Sequence, residues 1–185
     1  MRPIQLIFVA VILPWVLSAQ HYLPLESKDG VSFTIKNFGA TITGTFQGLR
    51  GIIIFDPNHL ENSLFDVSVD VSTIDTGINL RDTHLRKKDF FDAENFPTIS
   101  LTSTLVHSGK ISGEFIASAM LLLKGKRKEI AFPFYTKTEA GEIIMLHGSF
   151  KINRRDFDIG GWSVSLSDEV VVLMRVPVKI LNSTD

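Results

Sequence analysis

Apolar and polar residues alternate with a period of two along most of this chain, the pattern of strands with one face buried and one in water. Phe65, Val67, Val69 and Val71 alternate with Asp66, Ser68, Asp70 and Ser72. Ile99, Leu101 and Leu105 alternate with Ser100, Thr102 and Thr104, while Ile111, Phe115 and Leu121 share a parity with Gly113, Ala117 and Ala119. Ile130, Phe132 and Phe134 follow, and then Ile144, Leu146, Phe150 and Ile152 opposite His147, Ser149, Lys151 and Asn153. The longest single face runs Val170, Val172, Met174, Val176, Val178, Ile180. Two segments precede these: Val31–Asn37, and a long one from Ala40 to Pro57. The second holds Gly44, Gly48 and Gly51, residues that weaken a strand interior and mark bulges or the corners of a barrel. Turn residues at 56–58, 108–110, 124–128 and 139–142 leave hairpin-length connections, so the sheet is expected to be antiparallel. About eight such strands predict an all-β barrel or sandwich.

Two stretches break the alternation. Gly77–Asn95 reads as a helix, with Leu80, His84, Leu85 and Lys88 on one face, Asp82 and Arg86 as an i,i+4 pair, and a stop before Pro97. It is also the densest run of charge, holding Arg81, Arg86, Lys87 and Lys88 against Asp82, Asp89, Asp92 and Glu94. The second is Asn153–Glu169, a connection long enough to be functional or lid-like.

The ends and the composition narrow the picture. Arg2 precedes an apolar run, Ile4 to Leu17, that closes on Ser18 and Ala19. It is shorter than the roughly 20 residues of a spanning helix and has the outline of a secretory leader. The expected organisation is a signal peptide at 1–19 and one domain at 20–185, in a periplasmic or secreted protein. The chain has no cysteine, which excludes disulfides, thiolate metal sites, a cysteine nucleophile and a bacterial lipid anchor. Its net charge of -1 gives no footprint for nucleic acid. Fourteen Phe stand against two Trp and two Tyr, so most of the aromatic area carries no polar handle.

Catalytic chemistry finds little support. His84 lies two residues from Asp82, but a helix of alternating charge is usually a solvated face. No G-x-S-x-G elbow occurs, and His84, His107 and His147 lack the spacing of a local metal site. Gly160-Gly161-Trp162-Ser163 lacks the context of a phosphate loop, and Asn182-Ser183-Thr184 is a short glycosylation match. Neither an enzymatic role nor a cofactor is expected.

The stretch from Asp70 to Thr104 resembles the signature of the YceI-like family. It carries Thr76-Gly77, Arg81-Asp82, His84-Leu85, Asp89-Phe90-Phe91-Asp92, Pro97-Thr98 and Ser103-Thr104. Gly44–Pro57, Leu121–Ile130, Phe150–Gly160 and Leu166–Val172 agree with it in order. Three positions depart: Asn37 stands where members often carry histidine, Lys126-Arg127 displaces a usual threonine, and Asp158 stands where glycine is common. The resemblance implies an exported, lipocalin-like, antiparallel eight-stranded barrel with one short helical insertion, binding a polyisoprenoid or related amphiphile without catalysis. It makes Arg81, Asp82, His84, Phe90, Phe91 and Asp92 the lid or signature residues, with Phe90, Phe91 and Phe96 turned to apolar surface.

On that reading the ligand is an isoprenoid chain, a quinone-like molecule or another amphiphilic lipid. The walls that would hold it are Phe33, Ile35 and Phe46 early in the chain, then Val67, Val69, Phe115 and Leu121, then Phe132, Phe134, Phe150, Val172 and Met174. A homodimer and transient membrane contact are compatible with it, since "GIIIF" and "EVVVLM" are apolar on both faces. The competing expectation is a barrel packed solid with side chains, acting as a structural or stress-related interaction protein.

Overall fold

In the computed structural model, residues 21–139 and 143–181 are described. The apolar leader, turn residues 140–142 and the Asn182 tripeptide lie outside them. Alternation becomes ten strands: β1 His21–Pro24, β2 Val31–Asn37, β3 Ala40–Phe46, β4 Arg50–Ile54, β5 Leu64–Asp70, β6 Thr98–Ser108, β7 Glu114–Leu123, β8 Lys126–Thr138, β9 Ile143–Asn153 and β10 Leu166–Ile180. One helix, α1, spans Asn79–Leu85. Every strand pairing is antiparallel, in the order β1-β4-β5-β6-β7-β8-β9-β10-β2-β3, and β1 also pairs with β10.

That extra pairing closes an eight-stranded barrel. β10 is 15 residues long and takes two partners along one edge: β2 against Leu166–Met174, and β1 against Val178–Ile180. β1 and β2 are therefore two halves of one stave, and β3 and β4 two halves of the next. The expected single strand from Ala40 to Pro57 is broken at 47–49, where Gly48 takes φ +70. β1 escapes the periodicity reading because four residues are too few to show an alternation. Two hairpins turn on left-handed pairs, Phe38-Gly39 (φ 49 and 79) and Lys124-Gly125 (φ 48 and 72), whose twist matches that of the flanking strands.

Inside, one end of the barrel is filled. Tyr22, Phe55, Phe65, Val106, Ala117 and Phe134 form a buried floor. Phe55 meets Phe134 edge-on at 5.5 Å and Phe65 meets it at 5.3 Å, geometries favoured by the ring quadrupoles. Phe115 completes this cluster, 5.0 Å from Phe55.

The expected parity fails at two places. A bulge between Ser103 and Leu105 turns Leu105 outward, 55 % exposed, and brings Val106 into the floor. Ser103, which keeps the inward parity of Leu101, accepts a hydrogen bond from the Phe65 N–H at 2.8 Å. Ile111 lies in the turn before β7 and is exposed, so it belongs to no strand face. On the doubly apolar walls, Ile53, Val172, Met174 and Val176 face in, while Ile52 and Leu173 remain partly exposed on the outside. The helix covers the barrel end and leaves these outer faces open.

Gly51 illustrates how closely the staves approach. It takes φ +129 opposite Val67, and a Cβ there would run into the Asp66 carbonyl oxygen. Gly51→Ala is expected to lower unfolding free energy by more than about 2 kcal/mol in urea titration. Gly161→Ala, whose Cβ would meet nothing within 4 Å, is expected to stay within about 0.5 kcal/mol of the parent.

Candidate ligand-binding cavity

Above the aromatic floor the barrel is open inside, around a cavity of ≈ 470 Å³. Its walls are β2–β10, and they are overwhelmingly apolar. Phe33 and Ile35 on β2, and Val170, Val172 and Met174 on β10, are only half-buried because their inner sides border this space. Of the wall residues expected from sequence, Phe33, Ile35, Phe46, Val67, Val69 and Leu121 line it. So do Phe132, Phe134, Phe150, Val172 and Met174. Phe115 does not, because its ring is packed into the floor beneath the cavity.

The upper end is covered by the two segments that break the alternation. The charged one is shorter as a helix than its sequence suggests, ending after α1 in a series of tight turns. The Phe91 N–H returns to the Leu85 carbonyl and the Asp92 N–H to that of Lys87, with Asp92 itself at φ +52. As a result Leu80, His84, Leu85 and Lys88 do not share a buried face. Arg81, His84 and Leu85 turn to the cavity with Phe90 and Phe91, while Leu80 is 82 % exposed. Phe96 lies over Gly125 in the β7–β8 turn.

Asp82 and Asp92 are buried and brace the segment from behind. The Asp82 carboxylate accepts the Thr76 N–H at 2.9 Å and its hydroxyl at 2.5 Å, and this replaces the expected pairing with Arg86. Arg81 donates Nε to Thr76 Oγ1 and Nη2 to the Thr76 carbonyl, both at 2.6 Å. Asp92 accepts from Asn95 Nδ2 at 2.9 Å. The His84 ring meets Phe90 edge-on at 4.9 Å, so it and Asp82 have separate partners despite adjacent turns of sequence. Among the described residues no group of His, Asp and Glu could hold a metal.

The second segment is organised by Arg154, which is 2 % exposed and which sequence reasoning missed. An arginine ordinarily reads as surface, and only its place within the Phe150–Gly160 segment could have marked it. Its guanidinium donates to the carbonyls of Ser167 (2.9 Å), Ile159 (2.8 Å), Gly161 (2.9 Å) and Leu166 (3.3 Å), and pairs with Asp168 at 2.8 Å. Burial lowers its pKa while Asp168 acts to raise it. Phe157 and Ile159 follow it into a small core with Leu121 and Leu123. Asp158 takes φ +53, which explains why glycine serves at this position, and its carboxylate is held below the usual range by Lys126 at 2.6 Å.

The two segments are clasped to each other. The Gly160 N–H donates to the Asp89 carbonyl at 2.8 Å, and Lys124 Nζ bridges the carbonyls of Lys88 and Asp158. Among the polar groups of the cavity wall, Asn37, Thr76, Arg81, His84, Ser163 and Ser165 lie at this end. Asn37, at the end of β2, has an enclosed side-chain oxygen with no hydrogen-bond partner.

This arrangement has relatives. A model of the YceI-like domain matches residues 24–178. A UPF0312 protein of Photorhabdus laumondii is 32% identical over 117 residues, 62% of this chain and 59% of that protein, so the match spans less than two thirds of that relative. The crystal structure of BcnA from Burkholderia cenocepacia aligns with a TM-score of 0.74 at 21% identity, covering 82% of this chain and 95% of that one. A polyisoprenoid binding domain from Saccharophagus degradans, implicated in plant cell wall breakdown, aligns with a TM-score of 0.64 at 15% identity, covering 89% and 100%. At these identities the likeness to the solved structures is one of fold.

Removing the buried cation tests the account of the second segment. Arg154→Met leaves the carbonyls of Ile159, Gly161, Leu166 and Ser167 without their donor and is expected to cost about 3–5 kcal/mol. Hydrogen exchange should rise across 158–167 before the rest of the barrel. Arg154→Lys should recover little, since one ammonium cannot reproduce a planar fork.

Proposed function

The chain belongs to the YceI-like domain family, and we propose that it is an exported carrier that encloses an isoprenoid, quinone-like or other amphiphilic lipid in the barrel. The observation that carries this reading is the ≈ 470 Å³ apolar cavity, which falls within the roughly 300–1,000 Å³ of small-molecule sites. A barrel packed solid would have no such space. Each methylene withdrawn from water contributes about 0.8 kcal/mol, so ten would contribute roughly 8 kcal/mol before the costs of association. Affinity then needs no polar contact, and sequestration is the whole mechanism. Export is supported by the leader-like pattern at 1–19, and the polyisoprenoid-binding relative supports the ligand class.

The polar residues at the covered end would orient a head group. Asn37 gives this a direction, because an enclosed acceptor with no donor is costly unless a ligand supplies one. A head with an O–H or N–H, such as an alcohol or an amide, would satisfy it.

Native mass spectrometry of protein purified from an exporting host, with organic extraction, is expected to reveal a stoichiometric hydrophobic molecule. Val172→Trp, projecting into the cavity, should reduce the bound amount at least tenfold while the protein unfolds as cooperatively as before. Bare protein that takes up no isoprenoid alcohol, quinone or fatty amide would sink the carrier reading. Asn37→Leu should weaken binding of an isoprenoid alcohol about five- to tenfold in a fluorescence competition assay. Binding of the matching hydrocarbon should be unchanged.

A further inference from the structure

We propose that the aromatic floor is a stop that sets the length of the bound lipid, admitting an apolar tail of about twelve to sixteen carbons, near the size of three isoprene units. Such a limit rests on the carrier reading and narrows its ligand class.

The strand ladders bring Phe115, Phe134, Gly148, Met174 and Val31 into one row around the barrel, each paired with the next. Phe134 is the centre of this row. It is buried, and its ring lies 5.5 Å from Phe55, 5.3 Å from Phe65 and 5.4 Å from Phe115, so four rings close one section. Phe65 and Phe134 border the cavity, with Phe55 and Phe115 behind them. Gly148 admits the end of Met174 to the same row: a Cβ there would lie 2.9 Å from Met174 Cε and 3.4 Å from Phe132 and Phe134. Tyr22, Val106 and Val178 are buried in the same cluster, and none of them borders the cavity. An aromatic cluster is ordinary core in a small barrel; what makes this one a stop is its place between an open section and a filled one.

Above the row the cavity follows β2 from Val31 to Asn37, both of which line it. Six residue steps of about 3.3 Å, tilted by roughly 40° from the barrel axis, span about 15 Å. An extended chain advances roughly 1.2 Å per bond, a third of a residue's reach, so this depth takes about twelve bonds. Volume is an independent gauge. At about 30 Å³ for a methylene, the share of a water molecule in the liquid, ≈ 470 Å³ takes about sixteen carbons. Asn37, with its unpartnered side-chain oxygen, marks one end of this length and Phe134 the other. A tail of fitting length fills the apolar section with its head at Asn37. A longer one meets Phe65 and Phe134 first and lifts its head away, leaving that oxygen unpaired and part of the tail in water. A shorter one leaves wall contacts unmade. Affinity therefore passes through a maximum with chain length.

The test uses the protein as an exporting host leaves it, stripped of lipid, with all-trans prenyl alcohols of two, three, four and eight isoprene units competing against a fluorescent fatty alcohol. From two units to three the dissociation constant should fall at least tenfold, because five more carbons leave water. At four units it should rise at least threefold, and at eight it should not recover. Gly148→Ala, whose methyl pushes the flexible end of Met174 into the cavity, should weaken the three-unit alcohol at least fivefold and the two-unit alcohol less than twofold. Phe134→Leu, which removes three carbons from the stop, should bind the four-unit alcohol as tightly as the three-unit one. In the unaltered protein, a three-unit alcohol with a diazirine at its far end should label Phe65, Phe134 or Met174 on irradiation. Labelling at the covered end, or folded variants that keep the optimum of the parent, would overturn the stop. Affinity that climbs steadily through eight units would also overturn it and leave the carrier reading standing. Protein that binds none of the alcohols refutes both.

Discussion

The structure depends on one edge of one strand. β10 offers 15 residues of backbone, and β9 pairs with one side along most of that length. The other side must find partners too, since a free edge would leave a row of unsatisfied backbone groups. It is covered twice, by β2 towards the end capped by the two irregular segments and by β1 near the floor. Closure follows, and with it a fixed perimeter of eight staves. A perimeter of that size encloses just enough room to be filled by side chains or to hold one small ligand. Everything distinctive about the molecule lies in how the residues inside divide those two options along the axis.

Closing a barrel end with irregular chain creates a polar problem that strands do not have. Backbone carbonyls and N–H groups in the two covering segments cannot reach ladder partners, and water is scarce beneath them. The chain solves it with side chains placed behind the wall. Arg154 collects four carbonyls from the long connection and the start of β10, and Asp82 holds Thr76 so that Arg81 can hold it from the other side. The charged signature is thus mostly scaffolding, which leaves its aromatic members, Phe90 and Phe91, to meet the cavity.

The strand framework was legible because period two is enforced by burial: Val31–Asn37 emerges with the same bounds, and the inward face of β10 is as the alternation predicts. Legibility fails where a single residue changes the phase or a tertiary partner outbids local spacing. The bulge at Ser103 exchanges Leu105 for Val106, and no property of those residues announces it. Asp82 and Arg86 have the right separation to pair, but Thr76 lies closer to the carboxylate. Phe115 has the right parity for the cavity and the wrong height along the axis, a coordinate that alternation does not contain. Arg154 is hidden for the opposite reason, since its burial is compensated by backbone groups that the sequence does not display.

Height along the axis is set by residue size. Near the floor, Ala117 and Ala119 are small, yet fully buried, because Phe55, Phe65, Phe132 and Phe134 reach across and fill the section. Higher up, Ile35, Val67, Val170 and Val172 line a section that stays open. A cavity of ≈ 470 Å³ left unfilled forfeits the packing contacts that its apolar walls would otherwise make. Water would relieve little of that, because the walls below the polar end offer it few partners. Such a space could be narrowed by larger side chains at wall positions such as Val172. Its presence in a barrel whose other half is tightly filled argues that the space is matched to an apolar molecule rather than left over.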